Sequence, residues 1–182
     1  MLLTRNRFSH DILILARDDW EVSSGQGAST VPLGSGVVDL GGKLGELTYQ
    51  KLDWKFTHTP GIDAHLPDYL EGKVQSTEQE NSNSPEFVEH DERGYNQRAW
   101  AKAIAGFELL GSARFIITDR LHGHIMSTII GTPHVLMDSM LGKNLAFHDT
   151  WTSHCECTRV APDFDRAVEV AKLYFESVHY GS

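Results

Sequence analysis

The sequence predicts an α/β fold, a parallel sheet with flanking helices, and three observations predict it. The short apolar run Phe115 to Thr118 is rich in β-branched residues and too short for a buried helix, so it reads as a central strand. From Leu121 to Ile130 the residues Leu121, Ile125, Met126, Ile129 and Ile130 recur at spacings of three and four, the stripe of a helix packed on a sheet. Gly131 supplies a helix stop, Pro133 follows it, and His134 to Met137 is a second apolar run. Strand, helix and strand in that order form a unit of a parallel sheet.

The remaining elements are justified in chain order. Asp11 to Leu15 reads as the first strand, and Ser23 to Thr30 is small and polar enough for a loop close to Arg17. Gly34-Ser-Gly36 and Gly41-Gly42 complete neither a dinucleotide fingerprint nor a P-loop, because Asp39 takes the last glycine place and no Gly-Lys-Ser/Thr follows. Thr48 to Trp54 forms a further strand in this reading, and residues 76–85 are a flexible polar connection. Gln97 to Leu110 carries Trp100, Ile104, Phe107 and Leu110 or Leu109 at helical spacing. Asp163 is placed to cap a last helix whose buried face is Phe164, Ala167, Val168, Ala171, Tyr174, Phe175 and Val178.

Composition narrows the function classes. The 182 residues suit a single domain, residues 1–182, and the formal charge of -9 argues against a nucleic-acid partner or an acidic membrane surface. Met1 to Arg7 lacks the apolar core of a signal peptide, and no run approaches the roughly 20 apolar residues of a membrane helix, so a soluble chain of unassigned compartment is expected. Cys155 and Cys157 form no disulfide framework and supply too few ligands for a familiar zinc site.

Chemistry concentrates after the central strand. A helix N-terminus at the carboxyl end of a strand favours anions through its free N–H groups and partial positive charge. There Arg120 offers a fork of donors for a carboxylate or phosphate, and His122 can donate to an anion or move a proton near neutral pH. The alternative is that Arg120 pairs with Asp119 or a neighbouring carboxylate and His122 only caps the helix. Asp119 either orients His122 or acts as a cap or base. Lys143 after Gly142 is a candidate for a phosphate, and Trp151 for stacking on a sugar or filling a crevice.

Thr118-Asp119-Arg120-Leu121-His122-Gly123-His124, then Gly131-Thr132-Pro133, Leu141-Gly142-Lys143 and Asp149-Thr150-Trp151, resemble the carboxyl-terminal half of the polysaccharide pyruvyl transferases. Ala16-Arg17-Asp18-Asp19-Trp20-Glu21 is similar to a segment at the start of that half, so the resemblance runs from about Asp11 to Val178. It implies a Rossmann-like domain, the C-terminal domain of a GT-B-like two-domain fold, with the amino-terminal half absent here. It implies transfer of a carboxyethylidene group from phosphoenolpyruvate, a donor substrate with no separate cofactor and no metal, to two hydroxyls of a sugar or polysaccharide acceptor. Arg17, Arg120, Leu121, Lys143 and Trp151 would bind substrate, His122 and Asp119 would be catalytic, and a missing domain or a homo-oligomer would be the protein partner.

Two other classes stay open. One is a metal hydrolase using His122 and His124, although on a helix these rings diverge by about 200°. The other is a non-catalytic or partner-dependent donor-binding fragment, which would expose an apolar face where another domain packs.

Overall fold

A computed structural model of the chain describes residues 8–16, 33–39, 44–53 and 92–180. Among them the strands β1 (His10–Leu15), β2 (Gly34–Asp39), β3 (Glu46–Leu52), β4 (Ala113–Thr118), β5 (His134–Met137) and β6 (Thr158–Ala161) form one six-stranded sheet. Its order is β2-β3-β1-β4-β5-β6; β2 runs antiparallel to β3 and the other neighbours are parallel. The helices are α1 (Glu92–Gly111), α2 (Leu121–Ile130), α3 (Lys143–Phe147), which continues as a π-helical turn over His148–Thr152, and α4 (Phe164–Tyr180). The α/β class with a mostly parallel sheet is as expected.

Side chains alternate across a strand, and here both faces are covered, so the central strands are apolar throughout. Ile12, Ile14, Phe115, Ile117, Val135 and Met137 pack against Phe164, Ala167, Ala171 and Phe175 of α4. Leu13, Leu15 and Ile116 point the other way and join Leu110 of α1, with Met126 of α2 at the margin. The Asp163 carboxylate accepts the Arg166 N–H at 2.8 Å, which caps α4 as expected. Gly131, with φ of 70°, closes α2 through N–H bonds from Gly131 to Thr128 O and from Thr132 to Ser127 O.

Near the amino-terminal ends of the parallel strands Asp11 ties three strands. Its carboxylate accepts from the Thr48 N–H and hydroxyl and from the Arg114 guanidinium, at 2.9 to 3.0 Å. Burial alone would raise this carboxyl, but those donors hold it below the usual aspartate value.

Four expectations need correction. The face of α2 on the sheet is Gly123, His124 and Ser127, whereas Ile129 is 68% and Ile130 39% exposed. On α1, Trp100 and Ile104 face solvent while Leu110 is fully buried. The N-cap of α2 is Arg120 rather than Asp119. Finally, Val178 is 44% exposed at the end of the otherwise buried stripe on α4. On α2 the reason is close approach at Gly123, where a side chain would meet Leu15 and Thr118, and the polar His124 and Ser127 are compatible with burial because they are hydrogen-bonded. The strands β2 and β6 were not expected. Trp54, residues 23–30 and 76–85, and Arg17 lie outside the described residues.

Candidate functional site

From β1 the chain lays β3 on one side and later returns to lay β4 on the other, so strand order reverses between β1 and β4. Ligands of such sheets bind beyond the carboxyl ends of the strands at that reversal. Here those ends are Leu15 and Thr118, joined by a hydrogen bond from the Thr118 hydroxyl to Leu15 O at 2.8 Å. The same hydroxyl accepts the Arg120 N–H at 3.0 Å, which turns the chain into α2.

Gly123 lets that turn close. A Cβ at this position would stand 2.8 Å from Leu15 Cδ2 and 2.9 Å from Thr118 Oγ1, too near for either. Arg120 occupies the N-cap in extended conformation, no side chain caps the helix, and its first turn holds no acid. The amides of Leu121, His122 and Gly123 therefore have no acceptor within the helix, and among the described residues no side chain caps the positive end of the helix dipole.

The Arg120 guanidinium forms an ion pair with Asp53, at the end of β3, and both side chains are mostly buried. This is the neighbouring carboxylate the sequence allowed for, though not Asp119, which is itself buried. The pair fixes where the planar fork points. Leu121 is half-buried and His122 is exposed at the first turn. Lys143 is exposed at the start of α3, immediately after Gly142 in its left-handed conformation. Trp151, 65% exposed, stands eight residues further along the same helical stretch, roughly 12 Å by helical rise. Asp119, Arg120, Leu121 and His122 are thus together at the strand reversal, Lys143 follows the next strand end, and Trp151 stands apart.

Sequence reading passed over the groups that hold this edge. Asn144 is fully buried, and its amide donates to Asp119 O at 2.6 Å and Met137 O at 3.0 Å, bridging the ends of β4 and β5. His124 and His134 are also fully buried. His124 Nδ1 lies 2.8 Å from His134 Nε2, and His124 Nε2 lies 2.8 Å from the Thr152 hydroxyl. Thr152 meets His148 Nδ1 at 3.1 Å, and His134 Nδ1 meets Thr132 O at 2.8 Å. Burial, then the nearby histidines, push His124 down to about 4. Burial pushes His134 down to about 4 as well; its bond to Thr132 opposes the shift and nearby His148 adds to it. The signal that could have found this cluster was the run of polar residues Asn144, His148 and Thr152 at intervals of four.

His122 points outward and His124 inward, the divergence a helix imposes, so the two do not share a metal-binding face. Among the described residues no group of three or more His, Cys, Asp or Glu is arranged to hold a metal ion. Cys155 and Cys157 are free thiols in the turns before β6. No helix among the described residues is long and apolar enough to cross a membrane.

Comparison with known proteins bears on this edge. Residues 32–139 match the family model for polysaccharide pyruvyl transferases. That interval contains Asp119, Arg120, Leu121 and His122 and leaves Arg17, Lys143 and Trp151 outside. Pyruvyl transferase 1 of Schizosaccharomyces pombe is 30% identical over 169 residues, which is 92% of this chain and 34% of that protein. The chain spans about a third of that relative's length.

Proposed function

The chain belongs to the polysaccharide pyruvyl transferase family, and from that premise we propose that it binds phosphoenolpyruvate at the end of β4 for pyruvyl transfer to a sugar. The observation that carries this reading is the uncapped first turn of α2 beside Arg120 at the reversal of strand order. Phosphoenolpyruvate bears a carboxylate and a phosphate, and the site offers two kinds of anion donor: amides with a helix dipole, and a guanidinium. Arg17 and Lys143 are assigned the remaining charge. This neutralisation has to be local, because the chain as a whole is anionic.

In the proposed reaction His122 protonates the methylene carbon, leaving an oxocarbenium-like centre at C2 of the donor. One sugar hydroxyl bonds to C2, a second displaces phosphate, and a cyclic ketal closes. Of the two hydroxyl protons, one replaces the proton now in the methyl group and the other leaves with phosphate. General acid–base help of this kind contributes about two to four orders of magnitude in rate. Asp119 is assigned to positioning near His122, and Trp151 to the acceptor sugar. We infer further that this domain corresponds to the C-terminal, donor-binding half of a GT-B-like architecture. Acceptor binding is then a property of the longer proteins as well as of this chain.

Calorimetric titration of phosphoenolpyruvate tests the reading. The wild type should bind saturably. Arg120→Lys, which keeps the charge but loses the fork, should bind at least roughly tenfold more weakly, a loss of about 1.4 kcal/mol. His122→Ala, an exposed position, should keep the fold and much of the affinity but lose turnover with an acceptor. Absence of binding by folded wild type would overturn the assignment of the donor to this edge.

A further inference from the structure

The buried histidines admit one arrangement of protons, and it begins at a carbonyl. Thr132 O can only accept, so His134 Nδ1 carries a proton. In the neutral ring His134 Nε2 is then an acceptor, and His124 Nδ1, 2.8 Å away, must donate to it; two facing lone pairs would repel. His124 Nε2 is in turn an acceptor, so the Thr152 hydroxyl donates to it. With its single proton used, Thr152 Oγ1 accepts from His148 Nδ1. The Thr158 hydroxyl, 3.2 Å from His134 Nε2, adds a second donor at that nitrogen. The bonds therefore run one way, from His148 through Thr152 and His124 to His134 and the Thr132 carbonyl.

The chain grips the candidate site from behind. His124 sits in the first turn of α2, next to the glycine pressed on Leu15 and Thr118. Asn144, His148 and Thr152 lie on one stretch: Asn144 holds Asp119 O, Thr152 holds His124, and His148 holds Thr152. The backbone from Asp119 to His124 is thus anchored at its carbonyl start, at its glycine and at its last side chain. Between those anchors lie Arg120, His122 and the open amides.

We propose that Thr152, His148 and His124 are positioning residues for the donor site, holding the first turn of α2 in register with the strand ends through this one-way hydrogen-bond chain. The proposal rests on the donor reading above for its role, but its structural content can be tested without a donor. Long-range proton–nitrogen NMR at pH 7.5 should find His134, His124 and His148 all in the Nδ1–H form, the less populated tautomer of a free imidazole in water. An Nε2–H tautomer or an imidazolium at His124 would overturn the chain.

The second arm uses Thr152→Val, which removes the hydroxyl at nearly constant size and leaves His124 Nε2 without a donor. Amide exchange of residues 124–127, whose N–H groups bond back into the first turn of α2, should accelerate at least roughly tenfold while that of α4 is unchanged, and phosphoenolpyruvate affinity should fall by roughly the same factor. Thr152→Ser should restore both. Unchanged exchange in Thr152→Val, or failure of serine to restore it, would overturn the proposal. If the wild type binds no phosphoenolpyruvate yet Thr152→Val loosens residues 124–127, the donor reading fails and the positioning chain stands.

Discussion

At Gly123 a single absent methyl group decides how near α2 comes to the sheet. Gly123→Ala should destabilise the fold by about 1 to 3 kcal/mol, because the added carbon meets Leu15 and Thr118 and the helix must move outward. A shift in denaturant midpoint at unchanged m value would show it. The buried histidines give a second residue-level prediction with a defined sign. His124 and His134 titrate near 4 in the folded chain and near 6.5 when unfolded, so below 6.5 the unfolded state takes up protons that the native state refuses. The contribution of these two histidines should be constant above pH 6.5, fall as pH drops from 6.5 to about 4, and level off below that. Each histidine contributes a slope of about 1.4 kcal/mol per pH unit. Denaturant titrations across this range should show the fall, and His134→Gln should flatten part of it; a pH-independent midpoint would contradict neutral burial.

Among the elements, α2 shows what periodicity reports and what it misses. Its limits, Leu121 to Ile130, and its glycine stop are those the sequence predicts, because apolar spacing and the left-handed cap are local signals. Its buried face is not, since Gly123, His124 and Ser127 carry no hydrophobic signature. Ser127 becomes compatible with burial by donating to Gly123 O at 2.7 Å, a bond within the helix that no pattern of apolar residues announces. The strand β2 escaped notice because Gly34 and Gly36 depress strand propensity, and β6 because it is four residues long with two of them exposed. The helix α4 was legible at both levels. There Asp163→Ala should cost about 1 kcal/mol through loss of the cap to Arg166, measurable as a lowered melting temperature with α4 still formed by circular dichroism.

For the molecule as a whole, cohesion is concentrated in the middle of the sheet. Leu13, Ile116 and Val135 are wholly buried on the three adjacent strands β1, β4 and β5, so their amides should exchange only through global unfolding, more slowly than those of β2. Residue-resolved exchange would check that order. The motif strand, helix and strand are contiguous in sequence, which is why the site's chemical edge could be read there. The Arg120–Asp53 pair could not, because its partners are 67 residues apart and neither carries a local cue.

Thr118 and Leu15, whose hydrogen bond closes the strand reversal, are separated by 103 residues. The crevice therefore exists only once the chain has closed a long loop, and its formation belongs to the late, topology-limited part of folding. Closure entropy grows only with the logarithm of loop length, about 0.6 kcal/mol for a doubling. Lengthening or shortening the interval between β3 and α1 should thus leave the equilibrium geometry at Arg120 almost untouched while changing how fast it is reached. A change of length in that interval is in this sense thermodynamically silent at the site and audible in the kinetics.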